Sequence, residues 1–330
     1  MRLTIIIPTK DRAGTLGELL ESIRRLRDLA ETRPEIIVAD NNSTDETKAI
    51  SERLAASLPG QIKIIKVTKP GKSATLNEAL RLASGDYVAF LDDDVIVDRD
   101  WLKTLNAFFQ KGDYQAGQGK IGLHSPDADD PKTRQLVSLY RTVPRLDHGP
   151  DVEEVHSLNG ANCFMARELL YRVGGFDERL GPGASGTSED VDLARRLSQI
   201  GIRMGYARDC IVYHRIDRQR LCKNYFKQVH RRQGRSRLLM RDRSLVYILG
   251  DLYGSYWKYL YHLLIGNKRG RYKSLGRVFH YTEMVRAKRA GMHKQPKKLL
   301  KLNYPATSGG VQIEPIKQSR QVAEKKPHRV

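Results

Sequence analysis

Three consecutive aspartates, Asp92, Asp93 and Asp94, follow directly on the apolar run Tyr87 to Leu91. Carboxylates this close repel, and each charge raises its neighbour's pKa unless a cation neutralises the group. Hard oxygen ligands suit Mg²⁺ or Mn²⁺ better than zinc, and an ion held this way commonly carries a phosphate. A solvated acidic turn is the plain alternative. A calcium EF-hand loop is excluded, because one beginning at Asp92 needs Gly at its sixth position and Glu at its twelfth, where Val97 and Lys103 stand.

The elements before the triplet decide which reading applies. Apolar runs at Leu3 to Ile7, Ile36 to Ala39, Ile62 to Val67 and Tyr87 to Leu91 alternate with helix-like stretches at Leu16 to Leu29, Glu46 to Leu58 and Ala74 to Ala83. Continuous apolar strands joined by helices predict a parallel sheet covered on both faces, with ligands bound beyond the carboxyl ends of the strands. Those ends deliver Pro8-Thr9-Lys10-Asp11-Arg12, then Asp40 to Asp45, then Lys69-Pro70-Gly71-Lys72-Ser73, and finally the triplet. No Gly-x-Gly-x-x-Gly follows the first strand, and Gly71-Lys72-Ser73 has Lys66 where a phosphate loop needs its first glycine. A Rossmann dehydrogenase and a P-loop NTPase are therefore unsupported.

Further along, residues 113–155 are rich in Asp, Pro and Gly and read as a loop-containing insertion over the site. Asn159 to Met165, a helix to Val173, and the turn Gly174-Gly175-Phe176-Asp177-Glu178 restore order. After a Gly-rich loop, Ser188-Glu189-Asp190-Val191-Asp192-Leu193 reads as an N-cap with an acidic first turn, for which dipole compensation is the plain explanation.

Taken in order, these elements resemble a family 2 glycosyltransferase of the GT-A fold, the nucleotide-sugar-dependent inverting class, over roughly residues 3–216. The resemblance implies an α/β fold with a mostly parallel central sheet flanked by helices. Pro8, Thr9, Asp11, Arg12 and Asp40 would cradle the nucleoside, with Lys72 and Asn77 near the nucleotide and Asp92 toward the ribose or sugar. In the DXD motif Asp94 would bind Mn²⁺ or Mg²⁺, with Asp92 and His214 completing the metal shell, and Asp93 would lie on the donor side. Asp190, paired with Glu189, would be the catalytic base for a sugar moved from a UDP-linked or related donor to a glycan or lipid-linked hydroxyl, as in polysaccharide or cell-envelope synthesis. Asn159 to Asn162 would form the acceptor-side floor. A sugar-phosphate nucleotidyltransferase is the alternative that a related architecture allows.

Composition adds a second theme. The chain has 330 residues, 40% of them hydrophobic, enough for a sizeable core. Its formal charge of +20 is uneven, −3 over residues 1–210 and +23 over 211–330. This predicts a catalytic domain over 1–216, a basic amphipathic helical extension over 217–293 and a disordered basic tail over 294–330. Leu245 to Ile265 is near the length of a membrane span, but Asp251, Lys258 and His262 interrupt it. Helical spacing instead puts Leu245, Ile248, Leu249, Leu252, Tyr256, Tyr259, Leu260 and Leu263 on one face and Asp251, Ser255, Lys258 and His262 opposite. Such a helix docks on the catalytic domain or lies peripherally on an anionic membrane surface, at the inner face of the cell membrane. Nucleic-acid binding by the Arg-rich, aromatic-containing segments is a less favoured alternative. Cys163, Cys210 and Cys222 show no metal or disulfide spacing, and the opening apolar run is too short for a signal peptide, so a cytoplasmic location is expected.

Overall fold

The computed structural model describes residues 1–58, 61–124 and 130–299. The chain opens with β1 (Leu3–Thr9), α1 (Ala13–Arg24), the single turn α2 (Leu29–Thr32), β2 (Glu35–Asp40), α3 (Thr47–Ala55), β3 (Gln61–Lys66), α4 (Lys72–Leu82) and β4 (Tyr87–Phe90). The expected helix from Leu16 to Leu29 is thus broken, ending at Arg24, and Asp28 takes up a left-handed conformation before α2. Next come β5 (Val95–Val97), α5 (Trp101–Gln110), β6 (Ala116–His124), α6 (Pro131–Tyr140), the two-residue β7 (Glu154–Val155), β8 (Cys163–Ala166), α7 (Arg167–Val173), α8 (Glu189–Gln199) and β9 (Met204–Arg215). Three helices follow: α9 (Lys223–Met240), α10 (Leu245–Leu264) and α11 (Lys268–Arg289).

The strands form one sheet in the order β3-β2-β1-β4-β8-β6-β9-β5, with β7 also on β9. The first four strands are parallel, as their continuous apolar runs predict. Antiparallel β8 beside β4 then makes the sheet mixed. Successive β1 residues enter opposite cores: Ile5 and Ile7 pack on the side of α1 and α5, Ile6 on the side of α4, α7 and α8. Both faces are dry, so each strand end is fixed from two sides.

The stretch expected to be a loop over 113–155 contains β6, which lies between β8 and β9 in the sheet. Its glycines read as turn signals in the sequence, yet they serve close packing. A Cβ on Gly117 would lie 2.6 Å from Phe108 and Phe164, and one on Gly119 would lie 2.2 Å from the Asn162 amide. Residues 125–129 of this stretch lie outside the described residues.

The predicted tail boundary at residue 294 also moves. Arg179 and Asp177 form a buried ion pair (Nη2 to Oδ2, 2.6 Å), and Arg179 also donates to the carbonyls of Leu239 and Gln295. Lys298 N–H donates to Asp177 (3.3 Å) and its carbonyl accepts from Glu178 N–H (3.1 Å). Residues 295–298 are therefore fastened to the Asp177 to Arg179 turn; residues 300–330 of the expected tail lie outside the described residues.

Candidate active site

Four strand ends and one helix start converge. Asp92 to Asp94 follow β4, where the sheet fixes the chain direction, and β5 then pairs with β9 so that Val95 stands opposite His214. His214 Nδ1 lies 2.8 Å from the Arg215 carbonyl, an acceptor only, so Nδ1 must carry the proton. Nε2 then points its remaining valence at Asp94 Oδ1, 3.1 Å away. A lone pair facing a carboxylate is repulsive unless a proton or a metal ion lies between them. Atoms of Asp92, Asp94 and His214 all lie within 4.8 Å of one another, a set of one imidazole and two carboxylates that fits Mn²⁺ or Mg²⁺.

The electrostatics divide the triplet. Burial would raise Asp94, but His214, Arg220 and Arg12 hold it below the usual carboxylate range. Burial pushes Asp93 up to about 7, with Asp94 and Asp92 adding to the rise against the Arg12 charge. Arg220, from the turn after β9, donates to Asp94 Oδ2 (3.0 Å) and is a site residue that sequence reading missed, because it merged with the basic third.

On the other side of the site, Lys72 opens α4 and reaches Asp92 Oδ1 at 2.5 Å and Glu189 Oε1 at 3.3 Å. Burial alone would lower its ammonium, but Asp92 and Glu189 hold it well above the ordinary value. Asp190 accepts from Gly160 N–H (3.0 Å) and Val191 N–H (2.7 Å). Burial and the Glu189 charge nevertheless push it up to about 7, against the pull of Lys72. A Cβ placed on Gly160 would lie 3.3 Å from Lys72 Nζ, 3.9 Å from Asp92 and 4.0 Å from Asp190, so these three groups surround one point. Ser188 does not cap α8 with its side chain; the first-turn acids instead have separate partners, Glu189 with Lys72 and Asp192 with Arg195 and Arg196.

The expected nucleoside residues line the adjoining loops. Thr9 is buried at the end of β1 beside Pro8. Asp40 is buried too, and its Oδ1 accepts from the Ser43 N–H and hydroxyl. Asp11 binds the Thr44 N–H (2.7 Å), which clips the β1 loop to the β2 loop. Asn41, not singled out in the sequence, donates to the Val67 and Lys69 carbonyls and accepts from Gly71 N–H, so it sets the loop that carries Lys72. Asn77 departs from its expected place near the nucleotide. It is fully buried and its amide is satisfied by the Phe176 backbone and Glu178, which makes it the clasp between α4 and the Gly174 to Glu178 turn. Within the expected acceptor floor, Gly160 faces the site, whereas Asn162 is buried and bonds Trp101, Lys120 and Cys210.

Comparison with known proteins accords with this geometry. A family model described as "Glycosyl transferase family 2" matches residues 4–174. The chain is 28% identical over 204 residues to a β-monoglucosyldiacylglycerol synthase from Synechocystis sp., covering 59% of this chain and 40% of that protein. The mannosyltransferase PcManGT from Pyrobaculum calidifontis, solved with GDP-Man and Mn²⁺, superposes with a TM-score of 0.53 at 19% identity, covering 89% of this chain and 76% of that one. TarS 1–349 from S. aureus, solved with UDP-GlcNAc, gives a TM-score of 0.53 at 18% identity, with 88% and 92% covered. These two share the fold, the GT-A architecture that the sequence resemblance implied. The chain spans about 40% of the length of the Synechocystis relative.

Proposed function

The chain belongs to glycosyl transferase family 2, and from that premise we propose that it is a metal-dependent inverting glycosyltransferase acting on a nucleoside-diphosphate sugar. The observation that carries the reading is the pair of carboxylates whose environments push them apart. Asp94 is held ionised by His214, Arg220 and Arg12, while Asp190 is raised to about 7 beside the same Lys72-bridged cluster. Asp93 is also raised to about 7, so position completes the assignment: Asp92, Asp94 and His214 cluster for ligation, and Asp190 stands beside Gly160 and Lys72 for proton transfer.

Asp92, Asp94 and His214 would hold Mn²⁺ or Mg²⁺, which when bound supplies Lewis-acid stabilisation of the charge on the leaving diphosphate. Pro8, Thr9, Asp11, Arg12 and Asp40 would bind the nucleoside, with Asp40 accepting from the base through the oxygen not tied to Ser43. Asp190 takes the proton of the acceptor hydroxyl as that oxygen bonds to the anomeric carbon and the bond to the diphosphate breaks. The attack is from the opposite face, so configuration inverts. Gly160 N–H keeps the base oriented and Glu189 keeps it basic enough to work near neutral pH.

A nucleoside-diphosphate sugar donor accords with the fold neighbours solved with GDP-Man and with UDP-GlcNAc, and UDP is the nucleotide that the sequence resemblance implies. A glycan or lipid-linked acceptor, in polysaccharide or cell-envelope synthesis, is supported by the relative whose name specifies a diacylglycerol product. The three cysteines are free, which supports the cytoplasm. The test is a screen of nucleotide sugars by thermal shift with Mn²⁺, followed by product analysis. Release of free nucleoside diphosphate and a product of inverted anomeric configuration are expected. Pyrophosphate release or retained configuration would refute the proposal.

A further inference from the structure

The sequence leaves α10 to dock its apolar face on the catalytic domain or on an anionic membrane surface, and the structure splits that face: Leu245, Ile248 and Leu252 pack inward against α11, whereas Leu249, Tyr256 and Leu263 are exposed. Its inward side carries Ile248 and the small polar Ser255, with Asp251 and His262 alongside, against α11. Two of these polar groups are satisfied locally: Ser255 donates to the Asp251 carbonyl and Arg243 pairs with Asp251 at 2.6 Å. The outward arc presents Val246, Leu249, Tyr253, Trp257, Tyr261 and Leu264, from 42% to 86% exposed. An aromatic and aliphatic stripe along a twenty-residue helix exceeds the scattered apolar residues of an ordinary surface.

We infer that this arc of α10 is a docking surface for an anionic phospholipid bilayer, with the helix lying in the plane of the interface. Ring side chains with an apolar body and a polar tip, Trp257 and the tyrosines, are those that sit at headgroup depth. Charge identifies the occupant. Residues 241–289 hold eleven Lys and Arg against three acids. Each of those acids is already paired, Asp242 with Lys288, Asp251 with Arg243 and Glu283 with Arg235. The surplus positive charge, including the exposed Lys258 on α10 and Lys268 at the start of α11, attracts anionic headgroups. The same charge opposes the two other available occupants. A second copy would bring like charge to like, and the segment 300–330 has six Lys and Arg against two Glu. No helix among the described residues is long and apolar enough to cross a membrane, so the mode is interfacial.

The surface is tied to the candidate site. Arg235 of α9 bridges to Glu283 of α11 (2.9 Å), and Ser236 bonds Ser185 (2.7 Å) in the loop that leads to Glu189. Docking would therefore set the orientation of that loop to the bilayer, whatever the donor sugar proves to be.

The experiment is flotation of the full chain with vesicles, phosphatidylglycerol mixed with phosphatidylcholine against phosphatidylcholine alone. Co-flotation is expected with the anionic vesicles only, weakening as NaCl rises from about 0.1 M to 1 M, where the Debye length falls from about 10 Å to 3 Å. Trp101 is fully buried and Trp257 is 53% exposed, so a blue shift of tryptophan emission on vesicle addition reports α10 directly. Exchanging both exposed rings, Tyr253→Ser with Trp257→Ser, is expected to weaken partitioning at least about tenfold without lowering the melting temperature. Equal partitioning of this variant would overturn the inference, as would failure of the wild type to float with anionic vesicles. A dimer dissolved by the same substitutions, or preference for single-stranded RNA over vesicles, would overturn it too.

Discussion

The Lys72 ammonium lies 2.5 Å from Asp92 and 3.3 Å from Glu189, so a single cation fastens the strand end of the donor side to the helix start of the base side. Its neutral substitute Lys72→Met would leave two largely buried carboxylates facing each other. Breaking a buried pair from one side costs about 3–5 kcal/mol, and Lys72 keeps 18% exposure, so a loss near the lower end is expected. Urea denaturation at neutral pH measures it; an unchanged midpoint would show the bridge to be incidental.

Asp190 sets a pH dependence whose sign is fixed. Transfer needs the ionised base, so kcat/KM is expected to rise with pH through about 7 and level off above it. Glu189→Gln removes a charge that raises Asp190, so the inflection should move to lower pH. Stability runs the other way. A carboxyl raised in the fold binds a proton there at pH values where the unfolded chain has lost it, so its contribution is lost as pH rises from about 4 to 7. Asp190→Asn should accordingly melt higher than wild type at pH 8. A pH profile unmoved by Glu189→Gln would contradict this account of the base.

The imidazole orientation makes the metal site testable by donor binding. Chelation with EDTA is expected to abolish turnover and added Mn²⁺ or Mg²⁺ to restore it. His214→Ala and Asp94→Asn should each weaken metal-dependent donor affinity at least about tenfold, measured by calorimetry with and without Mn²⁺. Undiminished turnover in chelator would reject the ligand set of Asp92, Asp94 and His214.

The placement of β6 gives a stability prediction. Gly119→Ala drives a methyl to within 2.2 Å of the Asn162 amide, which is held by the Lys120 and Cys210 carbonyls, and 2.5 Å of the Cys210 carbonyl in β9. Overpacking there should cost about 1–3 kcal/mol by chemical denaturation. Wild-type stability would mean that the strand is not packed as described.

What the sequence made legible was the chemistry at strand ends. The parallel half announces itself through apolar runs, so Lys72, Asp92 and Asp94 could be placed on one crevice from chain order, whereas Asp190 and His214 are assigned to it only by the family resemblance. What it hid depends on neighbours distant in sequence. The glycines of β6 look like turn residues until Asn162 and Phe164 occupy the space where a Cβ would be. Asn77 has the polarity of a ligand-binding residue, yet its partners lie about a hundred positions later in the Phe176 to Glu178 turn. Arg220 is one arginine among many until the turn after β9 brings it to Asp94. Helix α10 has an apolar face by spacing, but spacing does not say how much of it is covered: Ile248 and Leu252 pack inward beside Ser255, while Leu249, Tyr256 and Leu263 stay exposed.

The division between donor-side ligation and base-side proton transfer is tested most directly by Asp190→Asn at saturating donor and Mn²⁺. Transfer should fall by about 10²–10⁴ while donor affinity stays at the wild-type value, because the substitution removes only the proton acceptor. Full transfer by Asp190→Asn would contradict the account.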